Sequence, residues 1–175
     1  MTIDAGIHRR KSIRLQEYDY PQAGGYFLTI CTQERQCLFG RIADENMILN
    51  DAGKMVAKWY HELQNKFPDI KCDDSAVMPN HFHGVIMNVG ADLCVCPEHD
   101  TDFDASQGEH IGSPLPQVVQ WFKTMTTNEY IRGVKKHDWP PFAGKLWQRN
   151  YFDRIIRNED ELNRIREYIL YNPLK

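Results

Sequence analysis

Apolar residues recur along this chain in two rhythms, one of strands and one of helices. The β-rich run Tyr26-Phe27-Leu28-Thr29-Ile30-Cys31-Thr32, punctuated by Gly24-Gly25 before it, predicts a first strand. Residues 37–42 and 46–49 suggest short strands or a hairpin, and 70–78 a further strand that turns at Pro79-Asn80 into another beginning at His81. The helical rhythm appears in Val56, Trp59, Tyr60, Leu63 and Phe67, with Asn50 or Asp51 as cap and Pro68 as stop. A second helix is expected from the prolines at 114 and 116 to near Gly133, with Val118, Val119, Phe122 and Met125 inward. Residues 138–141 read as a connector and 146–156 as a strand. A last helix runs from 159 to about 171, capped by Asn158, with acids in its first turn and Leu162, Ile165 and Ile169 as its buried stripe. The succession β-α-β-β-α-β-α predicts an α+β fold: a ferredoxin-like antiparallel sheet with two helices on one face and an added C-terminal helix.

Residues 1–20 are polar and basic and read as an N-terminal arm, and 21–175 as a single domain interrupted by an acidic loop at about 90–115. An apolar content of 42% and a charged content of 26% are those of a soluble globular protein, and no stretch has the length of a membrane span or the core of a signal peptide. The five cysteines have no framework spacing and fit reduced thiols in a cytoplasm. Cys94, Cys96, His99 and His110 are potential zinc ligands, but Cys-x-Cys-x-x-His matches no common finger spacing, and a solvated loop is the expectation.

The net charge of −3 is unevenly spread: six acids and no Lys or Arg lie within 91–110, and setting them aside turns −3 into +3. Basic residues gather at Arg9, Arg10, Lys11 and Arg14, and again at Arg149, Arg154, Arg157, Arg164 and Arg166, the second group mixed with acids. Lys123, Thr124, Thr126 and Thr127 add polar groups on the second long helix. Such clusters permit phosphate contacts without demanding them.

The densest chemistry sits in Met78-Pro79-Asn80-His81-Phe82-His83-Gly84. In a strand, residues i and i+2 share a face, so His81 and His83 point together and Phe82 points away. Two imidazoles so placed can hold one divalent cation, although a His-x-His pair also arises by chance. On the last helix Tyr168 and Asn172 are one turn apart at the border of the buried stripe, since about 100° separates successive residues. Tyr171 turns further from that stripe, and Tyr151 sits in the predicted strand beside Arg149.

Taken with Phe122-Lys123-Thr124-Met125-Thr126-Thr127, Leu146-Trp147-Gln148-Arg149-Asn150-Tyr151-Phe152 and Asn163-Arg164-Ile165-Arg166-Glu167-Tyr168-Ile169-Leu170-Tyr171-Asn172-Pro173, the chain resembles the REP-associated tyrosine transposases of the HUH superfamily. Many members carry a phenol where this chain has Phe152. The resemblance implies that His81, His83 and Asn172 hold Mg²⁺ or Mn²⁺ and that Tyr168 is the nucleophile. It implies a metal-dependent endonuclease and strand transferase acting on single-stranded or hairpin DNA at REP-like palindromes through a 5′-phosphotyrosine. Arg9, Arg10, Lys11, Arg14, Lys123, Arg149 and Arg154 are candidate DNA contacts. A monomer or homodimer in a bacterial cytoplasm, associated with the nucleoid, is expected. The alternatives are a non-catalytic hairpin-binding protein and a metal-dependent phosphoesterase for small nucleotides.

Overall fold

The sheet is built outward from β1 (Gly24–Cys31), which pairs antiparallel with a strand on each side. The computed structural model describes residues 24–89 and 113–172; the basic arm with Arg9, Arg10, Lys11 and Arg14, most of the acidic loop, and Cys94, Cys96, His99 and His110 lie outside the described residues. After β1 come the short antiparallel pair β2 (Gly40–Ala43) and β3 (Asn46–Leu49), then α1 (Asp51–His61) and the one-turn α2 (Leu63–Lys66). Strands β4 (Ile70–Met78) and β5 (His81–Asn88) form a hairpin, and α3 (Leu115–Lys136), β6 (Phe152–Ile156) and α4 (Glu159–Leu170) follow. The four-stranded antiparallel sheet has the order β4-β5-β1-β6. The fold class is α+β. Among the described residues no helix is long and apolar enough to cross a membrane.

The helix boundaries follow local chemistry. Asn50 accepts from the Gly53 amide at 2.9 Å and Asn158 from the Glu161 amide at 2.8 Å, so both caps act as their residue types predict. Glu62 separates α1 from α2, and Phe67 caps α2 just before Pro68.

Alternation divides the core between the two faces of the sheet. On one face Tyr26, Leu28, Ile30, Phe82 and Ile86 pack under α1 and α3 against Tyr60, Val118, Phe122 and Tyr130. On the other, Phe27 and Val85 pack against Leu162, Ile165 and Ile169 of α4. The three main helices are thus split, two on one face and α4 on the other. Gly84 belongs to the first face: a Cβ there would meet the Phe82 ring at 2.8 Å and the Tyr60 ring at 2.9 Å. The residue after His83 is therefore a glycine because two buried rings close over it.

One element departs from the sequence reading. Residues 146–156 do not form one strand; β6 begins only at Phe152, and the preceding stretch touches the sheet through a single bridge between Trp147 and Thr32. Leu146 and Trp147 are buried instead as core anchors, and the Trp147 Nε1–H donates to Thr126 Oγ1 at 2.9 Å. The carbonyls of Gln148, Arg149 and Asn150 turn to the Lys123 ammonium at 2.9, 3.3 and 3.3 Å, where a strand would send them to a neighbour.

Candidate active site

His81 and His83 stand on the α4 face of β5, opposite Cys31 and Thr29 of β1. Each ring is fixed through its Nδ1: His81 to Asn80 Oδ1 at 2.7 Å, His83 to Thr29 Oγ1 at 2.9 Å. Their Nε2 atoms converge to 3.1 Å. The tautomers in which each Nδ1–H donates to its oxygen leave both Nε2 lone pairs aimed at one region of space. Two ligands each about 2.1 Å from a cation and at roughly a right angle would stand about 3.0 Å apart, so the pair matches two adjacent positions of an octahedral ion. The outer oxygens supply the orientation that metal-ligating imidazoles ordinarily require.

Electrostatics favour neutral rings. Burial, followed by the charge of His81, pushes His83 down to about 4. His81 is lowered by burial and then by the Arg35 guanidinium. Both lone pairs are available at neutral pH. Arg35 is brought there by a turn in which Glu34 and Arg35 have φ values of 55° and 54°, left-handed geometry that non-glycine residues adopt at a cost of about 1 kcal/mol or more each. Thr32 anchors that turn by donating its hydroxyl to the carbonyls of Gln36 and Asn80, at 2.9 and 3.0 Å.

Tyr168 comes to the pair from α4. Its ring meets His83 edge-on, with centroids 5.5 Å apart, and Phe27 likewise at 6.0 Å; Phe27 in turn stacks on His83 at 5.3 Å. Phe27 is therefore the spacer that sets phenol against imidazole. Tyr168 is 39% exposed, so its ring is held on one side and open on the other. Asn172, one turn later, is buried, and its Nδ2 has no hydrogen-bond partner among the described residues. An orphaned amide at that depth costs about 1–3 kcal/mol. Oxygen and nitrogen of an amide are exchanged by a simple flip, so this side chain has one end uncommitted to the fold. Among the described residues no set of three or more His, Cys, Asp or Glu gathers as a metal site.

The structure brings His81, His83 and Tyr168 together and places Asn172 just past the C-cap of the same helix. It separates the rival tyrosines from them. Tyr151 packs on the opposite face of the sheet, under the Lys123 ammonium at 5.4 Å from its ring centroid. Tyr171 is exposed at the α4 C-cap, and the His83 ring contacts among the described residues are with Phe27, His81 and Tyr168. Lys123, a candidate DNA contact, has its three donors spent on the backbone of 148–150, and burial pushes its ammonium down to about 8. Thr126 likewise belongs to the core: it is fully buried, one helical turn beyond Phe122, whose carbonyl it bonds. Arg149 is exposed near Lys123, and Arg154 lies on the α4 face, opposite Phe27 in the sheet, in an ion pair with Glu161. Thr29, Asn80 and Arg35 have roles at the site that their own stretches of sequence do not announce, because each depends on which strands and turns are neighbours.

No protein-family model matches the chain. It is 36% identical over 173 residues to an uncharacterized protein of Haemophilus influenzae, covering 98% of this chain and 92% of the relative. It is 22% identical over 160 residues, 90% of this chain and 74% of the relative, to a candidate REP-associated tyrosine transposase of the same organism. Among solved structures, a REP-associated tyrosine transposase bound to a REP hairpin superposes with a TM-score of 0.56 at 17% identity, over 94% of this chain and 73% of that one. The α+β fold is similar to that of this transposase.

Proposed function

We propose that this chain, which belongs to one family with the Haemophilus influenzae protein that it matches over nearly its whole length and resembles the REP-associated tyrosine transposases, cleaves and rejoins single-stranded DNA. The observation that carries the proposal is the edge-on packing of Tyr168 against His83, whose Nε2 lies 3.1 Å from that of His81. Nucleophile and cation-binding pair are thus neighbours, held on opposite elements of one packed layer. The sheet order β4-β5-β1-β6, with the β2–β3 pair taken as an insertion, is read as ferredoxin-like.

His81, His83 and Asn172 would hold the divalent ion, Mg²⁺ or Mn²⁺. Such a cation, when bound, neutralises phosphate oxygens and so lowers the barrier to attack by an anionic nucleophile. Imidazole and amide donors suit it while leaving positions for the substrate. The Tyr168 phenol oxygen attacks phosphorus, the bond from phosphorus to the 3′-oxygen breaks, and a 5′-phosphotyrosine forms. The proton lost by the phenol is balanced by the one the departing 3′-oxygen gains. A phenol is a good enough leaving group for the reverse step, in which the 3′-hydroxyl of another end attacks the same phosphorus and releases Tyr168. A water-using phosphoesterase has no need of this nucleophile, so the seating of Tyr168 favours strand transfer over that alternative.

The DNA partner is proposed to be a REP-like hairpin with single-stranded flanks, by similarity to the hairpin-bound transposase. Incubating the protein with such DNA and Mn²⁺ should give a covalent adduct, stable to denaturation, that is lost in Tyr168→Phe. Adduct that survives Tyr168→Phe and disappears in Tyr171→Phe would overturn the nucleophile. Hairpin binding without adduct under any divalent cation would leave only a non-catalytic DNA-binding protein.

A further inference from the structure

A groove follows the corner between β6 and α4 and opens beside Tyr168. Its floor is set by the sheet register. Thr29 is flanked by His83 on β5 and by Phe152 on β6, and in the next row Phe27 is flanked by Val85 and Arg154. Phe152 therefore points to the same side of the sheet as the histidine pair, two strand spacings or about 10 Å from His83. It is 52% exposed, so one face of its ring is open to solvent beside the packed core.

The helix wall of the groove is charged. Arg164 and Tyr168, four residues apart, share one row along α4 and both line the groove. Two acids, Asp160 and Glu161, face the same groove. Glu161 is already engaged: one oxygen meets Arg154 and the other accepts from the Arg157 amide at 3.0 Å. The Arg157 and Arg164 guanidinium groups are exposed and have no hydrogen bond or ion pair within 4.0 Å among the described residues, although the Arg157 charge also acts on Glu161.

We propose that this groove is the track for the single-stranded DNA flanking the scissile phosphate, with a base stacked on Phe152 and the backbone phosphates on Arg157 and Arg164. The inference rests on the strand-transfer reading of Tyr168 and adds to it the surface that delivers substrate. An exposed ring beside free guanidinium groups is the combination by which proteins hold single strands: the ring meets any base through its π-face, and the cations follow the backbone. A duplex stem offers no free base faces to such a ring, so the track discriminates for unpaired flank.

The full-length protein would be titrated in EDTA, where cleavage does not intervene, with a blunt hairpin and with the same hairpin carrying an unpaired flank containing 2-aminopurine. The flanked hairpin should bind more tightly, and its 2-aminopurine fluorescence should be quenched on binding. Phe152→Ala should remove the quenching and weaken flanked binding by roughly 5- to 100-fold, as loss of one base stack predicts, while blunt binding stays within twofold. Arg164→Gln should lower the salt dependence of flanked binding by about 0.7 in the log–log slope. Equal affinity for blunt and flanked hairpins, or a Phe152→Ala effect that is the same on both, would overturn the track. Its failure is separable from failure of the chemistry: adduct on Tyr168 with an unaltered flank preference sinks the groove alone, whereas flank discrimination without any adduct sinks the strand-transfer reading alone.

Discussion

Arg166 of α4 grips Asp73 of β4 with two parallel bonds, Nε to Oδ1 at 2.9 Å and Nη2 to Oδ2 at 2.6 Å. The pair links the helix that carries Tyr168 to an edge strand of the sheet that carries the histidines. Asp73 sits where the β4–β5 register shifts between Cys72 and Ser75, and its own carbonyl accepts from the Tyr60 hydroxyl at 3.1 Å. A forked guanidinium contact fixes orientation as well as distance. Its stabilising worth is modest because Arg166 is partly open to solvent, but its position makes it the lateral guide for the helix that carries Tyr168.

Removing that guide should cost more activity than stability. Asp73→Asn is expected to lower stability by about 1 kcal/mol or less and the rate of adduct formation by about 10-fold. The pH dependence carries a sign. The Arg166 guanidinium holds the Asp73 carboxyl below its ordinary value, so the stabilisation is complete above the unfolded carboxylate range and is lost as pH falls through the lower, folded value. Denaturant melts of wild type and Asp73→Asn should therefore differ by a constant amount above about pH 5 and converge below about pH 4. A gap that widens on acidification would exclude this role for the pair.

The histidine pair gives a second pH signature, in the metal-free protein. His83 is held near 4, against about 6.5 in an unfolded chain, so the unfolded state takes up the proton first. Stability should be highest above pH 6.5 and decline as pH falls from there to about 4, by about 3 kcal/mol over the window. Mn²⁺ should raise the melting temperature at pH 7 and lose that effect toward pH 4, because protons and cation compete for the same Nε2 lone pairs. Calorimetry in EDTA and in Mn²⁺ checks both. His83→Ala should abolish the Mn²⁺ response, and a response that survives would place the cation elsewhere.

Much of this arrangement is legible in the linear sequence, and what is not has a common cause. The His81/Phe82/His83 alternation and the Tyr168–Asn172 spacing are local, so strand and helix periodicity alone give the direction of each side chain. The caps Asn50 and Asn158 are local too. The misread stretch is 146–151, where Trp147, Tyr151 and neighbouring polar residues have strand-like composition but one buried ammonium, Lys123, claims the carbonyls. Thr29, Arg35 and the Asp73–Arg166 contact depend on register, on a left-handed turn and on helix docking across 93 residues of sequence, none of which a periodicity reveals.

Lys123 should behave as a structural clamp. Lys123→Met keeps the length of the stem and removes three charge-assisted bonds to 148–150, with an expected loss of about 2–3 kcal/mol and faster amide exchange in 145–151. Hairpin affinity should fall no more than that loosening explains, and the salt slope of binding should not change, because the ammonium is committed to carbonyls. A slope reduced by about 0.7–0.9 in this variant would instead make Lys123 a phosphate contact, as its place in the sequence first suggests.

The outer oxygens of the histidine pair provide the most selective test of the site. Thr29 is half-buried, and its hydroxyl faces His83 Nδ1 at 2.9 Å. Thr29→Val preserves shape and removes that partner alone. The His83 ring is then free to take the other tautomer, with the proton on Nε2, or to rotate against Phe27, and either outcome spoils one of the two converging lone pairs. Mn²⁺ affinity should drop 10- to 100-fold and adduct formation should be rescued by raising Mn²⁺, whereas blunt-hairpin affinity in EDTA should be unchanged. Titration calorimetry with Mn²⁺ and the adduct assay across a metal series measure the two halves. Loss of adduct that no concentration of Mn²⁺ restores would mean that Thr29 acts on the fold or on the DNA, and that the convergence of His81 and His83 is not set from the neighbouring strand.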